Sequence, residues 1–82
     1  MAATQHQIKE WLAQAVEKGA SHMLTVCDGF DHEDYPVFVI PPQDVNKTVA
    51  SFNADSMQCV MEVYNMNIDL NEQLHARRVM NY

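Results

Sequence analysis

The chain is 82 residues long, 48% apolar and 20% charged, with two glycines and three prolines, which excludes a disordered or fibrous chain and fits one folded domain. Eleven acids against five bases give a formal charge of −6, which disfavours direct nucleic-acid binding, because that binding draws on Lys and Arg. No stretch approaches the roughly 18 apolar residues of a membrane span, and the opening MAATQHQIKEW lacks the basic and apolar regions of a secretion signal, so a cytoplasmic protein with reduced thiols and no membrane contact is expected.

Along the chain, Thr4 and Gln7 have capping-box spacing, and Ile8, Trp11, Leu12, Ala15 and Val16 follow as one apolar stripe. With Lys18 in the last turn and Gly19 after it, a helix is expected from about residue 5 to 18. His22 to Cys27 (HMLTVC) is rich in β-formers and places His22, Leu24 and Val26 on one face, with Met23, Thr25 and Cys27 on the other. Val37 to Ile40 (VFVI) is apolar on both faces and therefore expects cover on both, one of them from the first helix. The simplest joining of these two runs is an antiparallel hairpin whose loop spans Asp28 to Tyr35, with Pro36 at a strand start or edge and Pro41-Pro42 as a stop.

Helical spacing returns with Val45, Thr48, Val49 and Phe52, and again with Met57, Val60, Met61 and Tyr64 after a cap at Asp55 or Ser56. A last helix starts at Asp69, runs through Leu70 and Leu74, and ends near His75, Arg77 and Arg78. The fold class is α+β: an N-terminal helix, an antiparallel β-hairpin, then two to three short C-terminal helices in a single domain over residues 1–82.

A domain of this size buries only about 60–65% of the surface its unfolded chain exposes, and an isolated hairpin is marginal in water. Disulfides, a metal or a partner subunit are the usual supplements. Two cysteines without CxxC or HxxxH spacing weaken the first two, so a homodimer joined by its sheet edges or by helix packing is expected. The methionines Met57, Met61, Met66 and Met80 fit a core or such an interface.

The densest charge lies in CDGFDHEDYPVFV, where Asp28, Asp31, Glu33 and Asp34 surround His32. A calcium-binding EF-hand loop fails, because a frame from Asp28 puts Val39 where the closing Glu belongs. His22, Cys27, His32, Cys59 and His75 have no zinc-finger spacing, and Cys27, Asp28 and His32 offer the one hint of a nucleophilic site. Gly19 and Gly29 cannot form a phosphate cradle, so neither a metal nor a cofactor is expected. Asp28, Asp31, His32, Glu33, Asp34 and Tyr35 are the expected contact surface for a basic protein partner. The alternative is an oligomer interface at which Tyr64, His75, Arg77, Arg78 and Tyr82 capture an anionic nucleotide, and a metal-dependent enzyme at the acidic loop is the third reading.

The segments KGASHMLTVCDGFDHEDYPVFV, Lys18 to Val39, and MQCVMEVYN, Met57 to Asn65, resemble a family of small proteins of bacteriophages and bacterial prophages, over about half the chain. The resemblance implies a setting rather than a reaction. Proteins of that kind act in the host cytoplasm by binding and blocking a host factor, as inhibitors of immune nucleases or as sponges for signalling nucleotides. Together these readings give a small acidic noncatalytic binding protein that inhibits a host factor such as a nucleic-acid-binding defence protein.

Overall fold

The first helix, α1 (Gln5–Glu17), begins and ends where its local signals place it in the computed structural model, which describes residues 3–76 and 78–82. Thr4 Oγ1 accepts the Gln7 N–H at 3.1 Å while Gln7 Oε1 accepts the Thr4 N–H at 2.9 Å, closing the capping box. At the other end Gly19 takes φ +69°, and the Ala20 N–H donates to Ala15 O at 2.9 Å. This is a Schellman cap, and glycine adopts its left-handed position without a Cβ penalty.

Three strands follow: β1 (His22–Asp28), β2 (Asp34–Val39) and β3 (Gln58–Asn65). They form one antiparallel sheet in the order β2-β1-β3, and the expected hairpin is β1–β2, with Leu24 opposite Val37 and Val26 opposite Tyr35. Two short helices follow the hairpin, α2 (Val45–Ala54) and α3 (Leu70–His75), capped by Asp44 and Asp69. The architecture is α+β as expected. No helix among the described residues is long and apolar enough to cross a membrane.

One segment takes a different form. Helical spacing predicts a helix over Met57 to Tyr64, whereas β3 occupies that stretch. The cause is a bulge: Val26 pairs with Val60 and Thr25 with Glu62, leaving Met61 as an extra residue. The extra residue brings Val60 and Val63 into the same core cluster although they are three apart, so a strand acquires the spacing of a helix. Asn53 at the end of α2 holds the bulged strand, its Oδ1 accepting the Val60 N–H at 3.0 Å.

Because β1 is central, its alternation feeds two cores. Leu24 and Val26 pack with Val39, Val45, Val49, Val60 and Val63 beneath α2. Met23 packs with Leu12, Ala15, Ala20, Tyr64 and Val79 beneath α1 and α3. Each such Val or Leu contributes about 1.5–3 kcal/mol relative to an exposed one, and a third strand with helices on both faces supplies cover that a lone hairpin lacks. Val16, expected in the α1 stripe, is 60% exposed; the inward line is Ile8, Leu12 and Ala15.

The two sheet edges differ. Along β3, the Val63 N–H donates to Val79 O at 2.8 Å and the Asn81 N–H to Val63 O at 2.9 Å, so the C-terminal segment covers part of that edge. On β2 the Asp28 N–H bonds Glu33 O at 2.9 Å, and alternation along the ladder turns positions 34, 36 and 38 outward. Pro36 therefore removes one outward donor from the edge, a device that discourages strand addition.

Candidate functional site

The acidic stretch folds by its own side chains. Asp28 Oδ1 accepts the Phe30 N–H at 2.8 Å and Asp31 Oδ1 accepts the Glu33 N–H at 3.1 Å, two Asx turns in succession. The His32 N–H returns to Asp28 O at 2.8 Å with His32 in the left-handed region at φ 59°. The loop is thus shorter than sequence spacing suggests, Gly29 to Glu33, because Asp34 and Tyr35 already belong to β2. Gly29 lies against the start of β3: its N–H donates to Met57 O at 2.6 Å, and a Cβ at Gly29 would sit 3.1 Å from that oxygen.

This geometry divides the expected contact residues. Asp28, Asp31, His32 and Glu33 stay together around the tip. Asp34 and Tyr35 face opposite sides of the sheet, as neighbours in a strand must. Tyr35 packs against the α2-side core and its hydroxyl donates to Gln58 Oε1. Burial pushes its phenol up, and the nearby Asp28 and Asp55 carboxylates push it further, which marks the negative potential at this end of the sheet. At the tip stands Phe30, 83% exposed, with Met57 also exposed beside Gly29. Among the described large hydrophobic residues that are exposed, Phe30 is the most exposed, and its ring is presented by a tightly bonded loop with acids on either side.

Asp34 instead lines a cleft of about 320 Å³ on the α1 side, with Ala3, Ile8, Thr25, Met61, Glu62 and Arg78. Asp34 Oδ2 accepts the Ala3 N–H at 3.0 Å, and Glu62 accepts the Tyr64 hydroxyl at 3.0 Å and the Val79 N–H at 3.3 Å. Burial and then Glu62 hold the Tyr64 phenol well above its ordinary value. Thr25 is 1% exposed and its hydroxyl has no partner among the described residues. Sequence reasoning missed this cleft, since Thr25 and Glu62 meet only through the β1–β3 register; the β-branched and aromatic content of CVMEVY was the available signal.

The alternative ligand residues are distributed as follows. Arg78 lines the cleft, Tyr64 is buried with its hydroxyl on Glu62 of that same cleft, and His75 Nδ1 lies 2.8 Å from Asn71 O on α3. Tyr82 sits at the opposite end of β1, its main-chain oxygen 2.9 Å from His22 Nε2, and Arg77 lies outside the described residues. Ser21 Oγ is 2.9 Å from His22 Nδ1, a hydroxyl beside a base, but neither residue lines the cleft or the apolar groove between α1 and α3. Among the described residues no group of three or more His, Cys, Asp or Glu side chains is arranged to hold a metal ion. Cys27 and Cys59, both free, face each other across the β1–β3 ladder.

Comparison with known proteins finds no family model, curated protein or solved structure that matches the chain.

Proposed function

We propose that the protein is a noncatalytic binding module that docks the tip of its β1–β2 hairpin on a basic surface of a protein partner. The observation that carries this reading is Phe30, 83% exposed and flanked by Asp28, Asp31 and Glu33. A desolvated aromatic anchor supplies much of the energy of a typical interface, and carboxylates around it steer encounter and set orientation. The Asx turns hold the loop before contact, so little ordering is left to the moment of binding. In the phage or prophage setting that the resemblance implies, the partner is a host factor such as a nucleic-acid-binding defence protein, whose basic channel complements this charge and would be blocked.

The other readings have less behind them. Arg78 shares its cleft with Asp34 and Glu62, which repels an anionic nucleotide. Asp28 and Asp31 each commit an oxygen to the loop's own N–H groups, which leaves a weak basis for a metal enzyme there. For the homodimer, Pro36 disfavours the β2 edge, and the groove lined by Leu12, Leu70 and Leu74 between α1 and α3 is the better surface for a second copy.

Capture from bacterial lysate at low and high salt tests the proposal. A basic protein retained at low salt, released as salt rises, and lost on Asp31→Lys with Glu33→Lys supports it. Equal retention by that double variant removes the acidic tip from the interface.

A further inference from the structure

Beneath the hairpin tip, Cys27 of β1 stands directly opposite Cys59 of β3, so both side chains project from the same face of the sheet. The neighbouring bonds fix the kind of pair. Gly29 N–H donates to Met57 O, two positions along the ladder, and the Val60 N–H turns outward to Asn53, so alternation makes Cys27–Cys59 a hydrogen-bonded pair. The Cα atoms of such a pair lie about 5.5 Å apart, inside the roughly 4.4–6.8 Å range of disulfides. No distant group ties either sulfur: Cys27 and Cys59 make thiol approaches to Asp28 O at 3.9 Å and Val60 O at 3.8 Å, and Cys27 also lies within hydrogen-bonding reach of the neighbouring Asp34 side chain, a contact that closure would replace.

We infer that Cys27 and Cys59 form a reversible disulfide that ties β1 to β3 at the base of the docking tip. Cβ atoms across such a pair sit roughly 4.5–5.5 Å apart, wider than the mean near 3.8 Å in disulfides, so closure draws the strands together and stores strain. Strain makes the bond easy to reduce, which suits a switch rather than a permanent staple. Cys59 is exposed and reacts first, whereas Cys27 is half-buried beside Asp34 and resolves. With a small-molecule disulfide of the glutathione type as oxidant, the Cys59 thiolate attacks one sulfur and expels one thiolate, giving a mixed disulfide. The Cys27 thiolate then attacks the Cys59 sulfur and expels the second thiolate. Two protein thiols become one S–S bond, and one disulfide becomes two thiols.

The test equilibrates the full chain in glutathione buffers of graded oxidation, traps free thiols by alkylation, and reads intact mass and linked peptides. The expected product is a monomer lighter by two hydrogens, with Cys27 joined to Cys59, that excess reduced glutathione returns to the dithiol. The folded chain should close at an oxidised-to-reduced ratio at least about tenfold lower than the chain in denaturant, because the ladder holds the sulfurs together. Cys27→Ser should stop at a glutathione adduct on Cys59, and Cys59→Ser should react more slowly than the native chain. Doubly glutathionylated chains, covalent dimers without the internal link, or closure no easier than in denaturant would overturn the inference.

Discussion

The two ends of the sheet are built to different rules. At the end where β1 begins, every neighbouring segment is tied in: Ser21 N–H donates to Val39 O, Met66 N–H to Ser21 O, and His22 and Asn65 both reach the Tyr82 main-chain oxygen. Gln73, 2% exposed, completes that end, with its amide nitrogen donating to Asn65, Ile68 and Asp69 carbonyls and its oxygen accepting from Asn65 and Asn81. At the hairpin end most of the tip's bonds close within the loop, the Gly29 N–H to Met57 O bond ties it to the start of β3, and Phe30 and Met57 are left exposed to water. One end closes the fold; the other is free to meet something else.

The largest effect expected from this contrast is at Gln73. Gln73→Leu keeps the volume but strands the part-buried Asn65 N–H and C=O together, and we expect a loss of about 3 kcal/mol in denaturant unfolding. A loss below about 1 kcal/mol would show that the closed end is not locked by this amide.

Next comes alkaline pH. The folded state holds the Tyr64 proton to higher pH than the unfolded chain does, so stability from this group is whole below the ordinary tyrosine range near pH 10 and is lost as pH rises beyond it. Denaturant midpoints of the native chain should fall more steeply above that pH than those of Tyr64→Phe. Parallel slopes would separate Tyr64 from the alkaline transition.

The smallest effect on folding belongs to the tip. Phe30→Ala should change unfolding free energy by less than about 0.5 kcal/mol, since the ring is solvated and the loop bonds use main chain and Asp side chains. Taken with Gln73, that result separates residues that hold the fold from one that is spare for contact.

How far the sequence reveals this arrangement depends on the range of each signal. α1 is legible to its caps because the Thr4–Gln7 box and Gly19 act within a turn of where they stand. The acidic stretch is legible as a turn for the same reason, since Asp28 and Asp31 each bind an N–H two residues on. Met57 to Tyr64 is not legible by periodicity, because the extra residue Met61 breaks the two-residue alternation from which a strand is recognised. The division of Asp34 from Tyr35 follows from where β2 starts, and element boundaries are weakly specified locally. The cleft and the facing cysteines are products of β1–β3 register alone, which no local pattern encodes.

The most direct test of the account compares two exposed apolar side chains, Phe30 at the hairpin tip and Val16 on α1. Each is replaced by alanine, and the partner retained from bacterial lysate is quantified against the native chain at matched stability. The account predicts that Phe30→Ala loses at least about tenfold of the retained partner, the effect of one interface anchor of ~1.4 kcal/mol or more, while Val16→Ala retains it. Undiminished retention by Phe30→Ala would contradict the claim that the open end of the sheet is where this protein binds.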